Sequence, residues 1–218
     1  MKPGLRHALH ISQGTEKITP WGHEMTVFTH FLPETQISRY GSWLKTLDPQ
    51  TLRNYFGISL SAEGINRLIR KFKQDKANHH FLIAHHDGHW AGVIHIACLD
   101  DAVEFGVIVK KEFRRHGIAD QLLSEAITWA QNRGYHTLYM HCVIENQAIR
   151  HLCDKHGLQS RNIYGDVEGH MDLPKPSWRS LWKEYWQRQA NWYYFVEDRL
   201  KTQRPSKVTL LEQFTDLD

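Results

Sequence analysis

A basic loop, Arg114-Arg115-His116-Gly117, separates an apolar run at residues 103–109 from a segment of helical periodicity that begins near Ile118. If the apolar run is a strand, the first N–H groups of the following helix point into this loop without intrahelical partners. These donors and the positive end of the helix dipole favour an anion, above all a pyrophosphate. Gly117 and the small Ala119 keep side chains out of its way. The loop therefore predicts a phosphate-binding site.

The same residues resemble a known family. Arg114, Gly117 and Ala119 match the pattern Q/R-x-x-G-x-G/A, which is the acetyl-CoA signature of the GNAT superfamily of N-acetyltransferases. Residues 145–158 are similar to the closing strand-to-helix segment of that superfamily, so the resemblance extends over about residues 25–172. Within it, the run at 103–109 looks most like the catalytic domain of bacterial protein-lysine acetyltransferases.

The resemblance implies a mixed sheet in which two central parallel strands separate near Gly106 and expose backbone N–H groups. It implies that the N–H groups of Val107 and Val109 donate hydrogen bonds to the pantetheine arm and to the thioester carbonyl of acetyl-CoA. Preorganised backbone donors of this kind contribute about 3 kcal/mol each in other acyl-transfer enzymes. The expected cofactor contacts are Val107, Ile108, Val109, Arg114, Arg115, His116, Gly117, Ile118, Ala119 and Asn146. For Asn146 an equal alternative is that it only caps the next helix.

Two residues are candidates for proton transfer. An amine must lose a proton before it attacks a thioester, and Glu104 lies where the related lysine acetyltransferases carry a base, which predicts that it acts directly or through water. The alternative is that Glu104 only pairs with a basic residue at a sheet edge. Many members of the superfamily protonate the leaving thiolate with a tyrosine, where this sequence has Cys153. Cys153 falls on an apolar stripe, so we expect it to be a small core residue and the thiolate to leave unaided.

The elements that position these residues follow from periodicity and turn residues. Asp87-Gly88 predicts a tight hairpin. Helices are predicted at about 34–47, 61–72, 118–133 and 146–156, with only a short helical turn at 49–56. Strands are predicted at 25–31, 81–85, 90–97, 103–109, 138–144 and 163–171. The predicted fold class is α/β (mixed α+β), a GNAT-like central mixed sheet flanked by helices. The expected organisation is a mobile lead at 1–24, an acetyltransferase domain at 25–174 and a helical extension at 175–218.

Composition excludes several other classes. With 218 residues and 41% hydrophobic content the chain can bury a sizeable core, and a net charge of +3 gives no strong nucleic-acid signal. The three cysteines have no CxxC spacing, which indicates reduced thiols and a cytoplasmic location. No signal-peptide pattern and no apolar run of membrane-spanning length are expected.

Histidines cluster in the strands around the predicted hairpin, at positions 79, 80, 85, 86, 89 and 95. Adjacent strand residues face opposite sides, and no pair has the helical i, i+4 spacing of many zinc sites. We therefore expect no metal.

The C-terminal segment is aromatic and basic. Half of the eight tryptophans lie between residues 178 and 192, and residues 175–207 carry eight basic and three acidic side chains. We expect the helical stripe from Trp178 to Val196 to be buried, either on its own domain or in a homodimer. A membrane surface or a nucleic acid is the alternative partner.

Together these features predict an N-acetyltransferase that uses acetyl-CoA, with a protein lysine or a small-molecule amine as acceptor in a ternary complex. One alternative is a non-catalytic acyl-CoA sensor, which fits the missing tyrosine. Another is an RNA- or membrane-associated module that acts through the C-terminal segment.

Overall fold

The computed structural model describes residues 27–143, 146–163 and 166–202, and the lead expected at residues 1–24 lies outside them. The strands are β1 Val27–Phe31, β2 His79–His86, β3 His89–Leu99, β4 Ala102–Val109, β5 Thr137–Val143, β6 Gln159–Ile163 and β7 Asp166–Asp172. The α-helices are α1 Ile37–Leu44, α2 Pro49–Phe56, α3 Ala62–Gln74, α4 Ile118–Asn132, α5 Gln147–Lys155 and α6 Trp178–Thr202.

The strands form one sheet in the order β1-β2-β3-β4-β5-β7-β6. The β4–β5 pair is parallel, and the other described pairs are antiparallel. Helix α4 makes the crossover that a parallel pair requires. Asp87 and Gly88 join β2 to β3 with φ angles of 48° and 75°, which confirms the predicted hairpin turn. The predicted mixed sheet is therefore confirmed.

Local sequence signals determine where α2 and α3 begin. The Asp48 side chain accepts a hydrogen bond from the Thr51 N–H, and Pro49 occupies the first turn of α2. Ser61 caps α3 in the same way by accepting from the Gly64 N–H. Because these contacts span only three residues, the sequence alone predicts both helix starts.

Two apolar cores cover the two faces of the sheet. On one face α4 and α5 pack against the sheet through residues such as Leu122, Leu123 and Leu152. On the other face α1 and α3 pack through residues such as Tyr40 and Ile65. Each fully buried side chain of this size contributes about 1.5–3 kcal/mol, so the sheet is held firmly from both sides.

The chain differs from the predicted element order at two places. Three α-helices precede β2, where two were expected before the main sheet, and a hairpin of β6 and β7 replaces the single strand expected at 163–171. Strand β6 has the polar sequence Gln-Ser-Arg-Asn-Ile and lies at the edge of the sheet. It therefore lacks the apolar alternation that identifies a half-buried strand.

Helix α6 packs on α4 and β1, and most of its aromatic residues face away from them, whereas the Phe195 ring contacts the Phe28 ring of β1. Trp178 is 68% exposed and Trp186 is 62% exposed, so the described residues of the same domain do not bury this stripe. Burial in a homodimer, the other outcome expected, stays a prediction. The inner side of α6 is formed by polar residues such as Ser180 and Asn191, which hydrogen-bond to α4 and β1. Within the described residues, no helix combines the length and hydropathy that a membrane-spanning segment requires.

Candidate functional site

The central parallel strands are paired only near their N-terminal ends. The register runs from Ala102 with Thr137 to Glu104 with Tyr139, whereas β4 continues to Val109. Among the residues that the structure describes, no pairing of β4 with β5 follows Glu104. A cleft of about 840 Å³ opens where the pairing ends, a volume typical of ligand sites.

Backbone donors of β4 point into this gap. The Lys110 N–H donates to the Ala91 carbonyl on β3 at 2.9 Å, and the β3–β4 register from Gly92 onward is regular. Successive residues of a strand direct their N–H groups to opposite sides. The N–H groups of Val107 and Val109 therefore point away from β3 and toward the gap. This is the arrangement expected of donors to a carbonyl oxygen bound between the strands.

The basic loop leads into α4 through left-handed backbone. Gly117 is the N-cap of α4 with a φ of 82°, and Arg115 has a φ of 66°. The first intrahelical bond runs from the Gln121 N–H to the Gly117 carbonyl at 3.0 Å, so the N–H groups before Gln121 have no helical acceptor. A left-handed non-glycine residue costs about 1–2 kcal/mol, and such geometry often forms an anion-binding concavity.

Arg114 is held in place by protein contacts. Its Nη2 donates to Thr51 Oγ1 at 2.5 Å, and its Nε donates to the Val109 carbonyl at 3.2 Å. Thr51 Oγ1 in turn donates to Asp48 Oδ2 at 2.5 Å. Hydrogen bonds from Thr51 lower the pKa of Asp48 despite some burial, and the Arg114 charge adds to this effect. The loop is thus tied to α2 and to the end of β4 without any ligand.

A carboxylate, Asp120, lies in the first turn of α4 and would repel an anion if it were unpaired. Its Oδ1 is 2.8 Å from Lys155 Nζ and 2.9 Å from His156 Nε2, both contributed by the end of α5. Burial alone would raise the pKa of Asp120, but hydrogen bonds and charges from these two partners outweigh it and lower the pKa. The Lys155 ammonium offsets the carboxylate, and the contacts of Asp120 with Lys155 and His156 join α4 to α5 beside the cleft.

On the α2 side of the cleft, Tyr55 covers Gly106, a residue contact that the sequence did not reveal. A Cβ atom on Gly106 would collide with the Tyr55 hydroxyl. The Tyr40 hydroxyl donates a hydrogen bond to Tyr55. Burial raises the pKa of Tyr55 to about 12, the Tyr40 hydrogen bond opposes this, and the charge of Glu104 adds to it. Tyr55 therefore stays protonated at neutral pH, so its hydroxyl is able to donate a hydrogen bond.

Two sequence signals point to this contact in retrospect. Thr51 and Tyr55 are four residues apart and share one face of α2. A glycine inside a strand, here Gly106, often marks a close approach by another group. Glu104 is two residues before Gly106, is partly buried and lines the same cleft. The structure thus brings Tyr55 and Glu104 to one side of the gap.

The other candidates divide into core and cleft residues. Cys153 is buried, with its Sγ 3.4 Å from Met140 Sδ, which confirms the prediction of a small core residue. Asn146 caps α5 by accepting from the Ile149 N–H at 3.4 Å, and it also lines the cleft. Its role as an N-cap is therefore confirmed, and its contact with a cofactor stays a prediction.

Most of the residues predicted to contact the cofactor line the cleft. They are Val107, Ile108, Val109, Arg114, Arg115, Gly117, Ile118, Ala119 and Asn146. His116 is not a lining residue, and its Nδ1 is buried without a hydrogen-bond partner among the described residues. In the histidine cluster, His79 Nδ1 lies 3.0 Å from His95 Nε2. No group of three or more potential metal ligands occurs in the part of the chain that the structure describes.

Comparison with known proteins agrees with this geometry. The model of the Acetyltransferase (GNAT) family matches residues 47–158, slightly more than half of the chain. A structure of spermidine N-acetyltransferase from Vibrio cholerae with CoA and spermine is 16% identical, with a TM-score of 0.55 over 67% of this chain and 95% of that one. The GNAT domain of S. lividans PAT is 17% identical, with a TM-score of 0.57 over 72% of this chain and 95% of that one.

A third similar structure is the PaiA N-acetyltransferase from Thermoplasma acidophilum with coenzyme A. It is 18% identical, with a TM-score of 0.52 over 68% of this chain and 99% of that one. At these identities the likeness to solved structures shows the shared fold. No curated protein sequence matches this chain.

Proposed function

This chain belongs to the GNAT family of acetyltransferases, and on that premise we propose that it transfers acetyl from acetyl-CoA to a primary amine by direct attack in a ternary complex. The observation that carries the proposal is the cleft between β4 and β5. It combines inward-facing N–H groups of β4 with the uncapped start of α4. This pairing of donors suits a long ligand with a carbonyl at one end and phosphates further along.

The residues present fit acetyl-CoA. The N–H groups of Ile118 and Ala119, together with the Arg114 and Arg115 side chains, would hold the pyrophosphate. The inward N–H groups of β4 would bind the pantetheine arm and the thioester oxygen. Because Arg114 is already held by Thr51 and the end of β4, little reorganisation is needed when the anion binds.

In the reaction the amine nitrogen forms a bond to the thioester carbon, and the carbon–sulfur bond breaks. Glu104 takes the proton that the ammonium group must lose, directly or through one water molecule. The N–H groups of Val107 and Val109 stabilise the negative charge that develops on the carbonyl oxygen. The CoA thiolate leaves and takes a proton from solvent, because the buried Cys153 is in contact with Met140 rather than in the cleft lining.

The acceptor enters on the α2 side, where Glu104 and Tyr55 lie. A protonated Tyr55 hydroxyl donates a hydrogen bond to the water molecule through which Glu104 removes the proton, and this contact fixes the position of that water. We propose a protein lysine or a small-molecule amine as acceptor. Similarity to a polyamine-bound acetyltransferase and to the domain of PAT supports both classes.

The decisive experiment measures thiol release from acetyl-CoA with a panel of amines, polyamines and lysine-containing proteins, in parallel with CoA binding by calorimetry. We expect CoA binding and amine-dependent thiol release, with Glu104→Gln as the low-turnover control. CoA binding without thiol release for any acceptor would favour the acyl-CoA sensor. A folded protein that binds no CoA would overturn the proposal.

A further inference from the structure

Helix α6 contacts its own domain through its polar side. The Asn132 side chain donates to the Ser180 carbonyl at 3.0 Å and to Glu184 Oε2 at 2.7 Å, and Arg133 Nη1 lies 3.2 Å from Glu184 Oε1. About two turns after Glu184, Asn191 Nδ2 donates to Thr29 Oγ1 at 2.7 Å. The side of α6 that an amphipathic helix normally turns to water is therefore bonded to α4 and β1.

The opposite side of α6 is aromatic and exposed. Trp192 is 65% exposed and Tyr193 is 67% exposed. The other large apolar residues exposed there are Trp178, Leu181, Trp182, Tyr185, Trp186 and Val196. Because a fully exposed aromatic side chain presents about 150–250 Å², this face adds up to roughly 1,000 Å². The largest apolar patch of a typical soluble monomer is about 300–600 Å², so this surface requires a partner.

The spacing of these residues identifies the kind of partner. Trp178, Trp182, Tyr185, Gln189, Trp192 and Val196 follow one another at alternating steps of four and three residues. We call these six residues the α6 seam. A four–three repeat is the pattern by which one helix packs on another with interlocking side chains, and a single polar residue such as Gln189 sets the register. The α6 seam therefore fits a second helix.

We propose that a second copy of this chain covers the α6 seam, so that two α6 helices pack about a two-fold axis. The whole exposed face of α6, which contains the seam, has about 1,000 Å² and is thus large enough for the roughly 800 Å² that each partner contributes to a stable interface. The seam contains no charged residue, and the exposed Arg179 lies outside it, as expected for an apolar interface core with a polar rim. Two identical copies supply matching seams, as a two-fold interface requires.

The second copy explains the surface better than a lipid bilayer does. A helix that lies on a membrane keeps a cationic face toward water. In α6 that side is engaged by Asn132, Arg133 and Thr29 instead. A bilayer also provides no reason for a four–three repeat interrupted by Gln189, whereas a helix partner does.

The dimer leaves both catalytic clefts open. The described residues that line the cleft include none from α6. Helix α6 packs on β1 at one edge of the sheet, and the cleft lies between β4 and β5. Association and CoA binding are therefore separable, and the test of one does not depend on the other.

The test compares three forms of the full chain by sedimentation across a range of concentrations. Wild type is expected at twice the chain mass of 25.7 kDa. Tyr185→Glu, which buries a charge at the centre of the seam, is expected to weaken the dimer by about 100-fold or more. Arg179→Glu introduces the same residue beside the seam and is expected to stay dimeric. CoA-induced thermal stabilisation must be equal in all three, which shows that each is folded.

A second measurement locates the contact. Gln189→Cys should form a disulfide-linked dimer on mild oxidation, whereas Ala190→Cys, the adjacent position outside the seam, and wild type should not. A monomeric wild type, or a Tyr185→Glu variant with the wild-type mass, would overturn the proposal. So would a monomer that sediments with phosphatidylserine vesicles, which would assign the face to a membrane.

Discussion

The cleft between β4 and β5 and the outer face of α6 both present groups that lack partners among the described residues, but they differ in origin. In the cleft these groups are backbone N–H donors that result from strand divergence and from the left-handed Gly117. On α6 they are aromatic side chains of a helix that is bound from its other side. Changes in the cleft should therefore affect ligand binding and turnover, and changes on α6 should affect association alone.

The two regions also differ in how firmly the structure holds them. Arg114 is hydrogen-bonded to α2 and β4, and Asp120 contacts Lys155 and His156 at the end of α5. The cleft is thus preorganised by contacts among four elements. On the outer face of α6 the aromatic rings mainly contact one another. The ring centroids of Trp182 and Trp186, for example, are 6.4 Å apart. A preorganised polar site can select a ligand because its groups are already in place. The exposed aromatic side chains of α6, in contrast, are fixed only when a partner packs against them.

The largest effect is expected from Gly117→Glu. The new carboxylate occupies the anion site, so CoA affinity should fall by about 100-fold or more, measured by calorimetry. The matched control is Gly134→Glu at the other end of α4, where φ is also about 80° and the space is open. It carries the same backbone strain and should bind CoA normally. Equal CoA affinity in the two variants would show that the start of α4 does not bind the phosphates of CoA.

The next effect concerns the base. Glu104→Gln should lower turnover by about 100-fold at neutral pH while CoA affinity is unchanged. The loss should diminish at alkaline pH, because the amine then deprotonates in solution. The measurement is a pH profile of kcat for both proteins. A variant that matches wild type at every pH would leave Glu104 with a structural role.

A smaller effect is expected from Tyr55→Phe. The hydroxyl contributes one hydrogen bond, worth about 1 kcal/mol, so turnover should fall by roughly five- to tenfold with CoA affinity retained. Phe56→Leu, on the neighbouring residue, is the control for disturbance of α2. A Tyr55→Phe loss confined to thermal stability, with normal turnover, would assign Tyr55 to packing against Gly106.

The smallest effect is expected from Glu125, which lies beneath α6. Burial raises the pKa of Glu125, and hydrogen bonds from Thr29, Gln121 and Asn191 only partly oppose it. A carboxyl whose pKa is raised on folding binds its proton more tightly in the native state, so stability falls as pH rises above its unfolded value. Glu125→Gln should remove this decline between acidic and neutral pH, measured by thermal unfolding. The mass of the protein in solution and its affinity for CoA should not change. An unaltered pH dependence of stability would contradict its assignment to Glu125.

Much of the site was predictable from residues close in sequence. The Asp87-Gly88 turn, the caps at Asp48 and Ser61 and the loop that ends at Gly117 each depend on contacts within a few residues. Such contacts form in the same way wherever the segment lies in the fold. The position of Cys153 on an apolar stripe belongs to the same class, and the structure confirms its burial.

Other features depended on residues far apart in the chain. Tyr55 meets Gly106 only because α2 packs across β4, and β6 is a strand only because β7 pairs with it. The docking side of α6 is the clearest case, since periodicity identifies an aromatic stripe but leaves open whether its own domain or a second copy buries it. Hydrogen bonds to Asn132 and Thr29 orient the helix with this stripe outward. The sequence alone determined the local turns, the caps and the family motif, because their interactions are short-range. Tertiary structure decided which face each element buries, because that choice depends on partners that only the folded chain brings together.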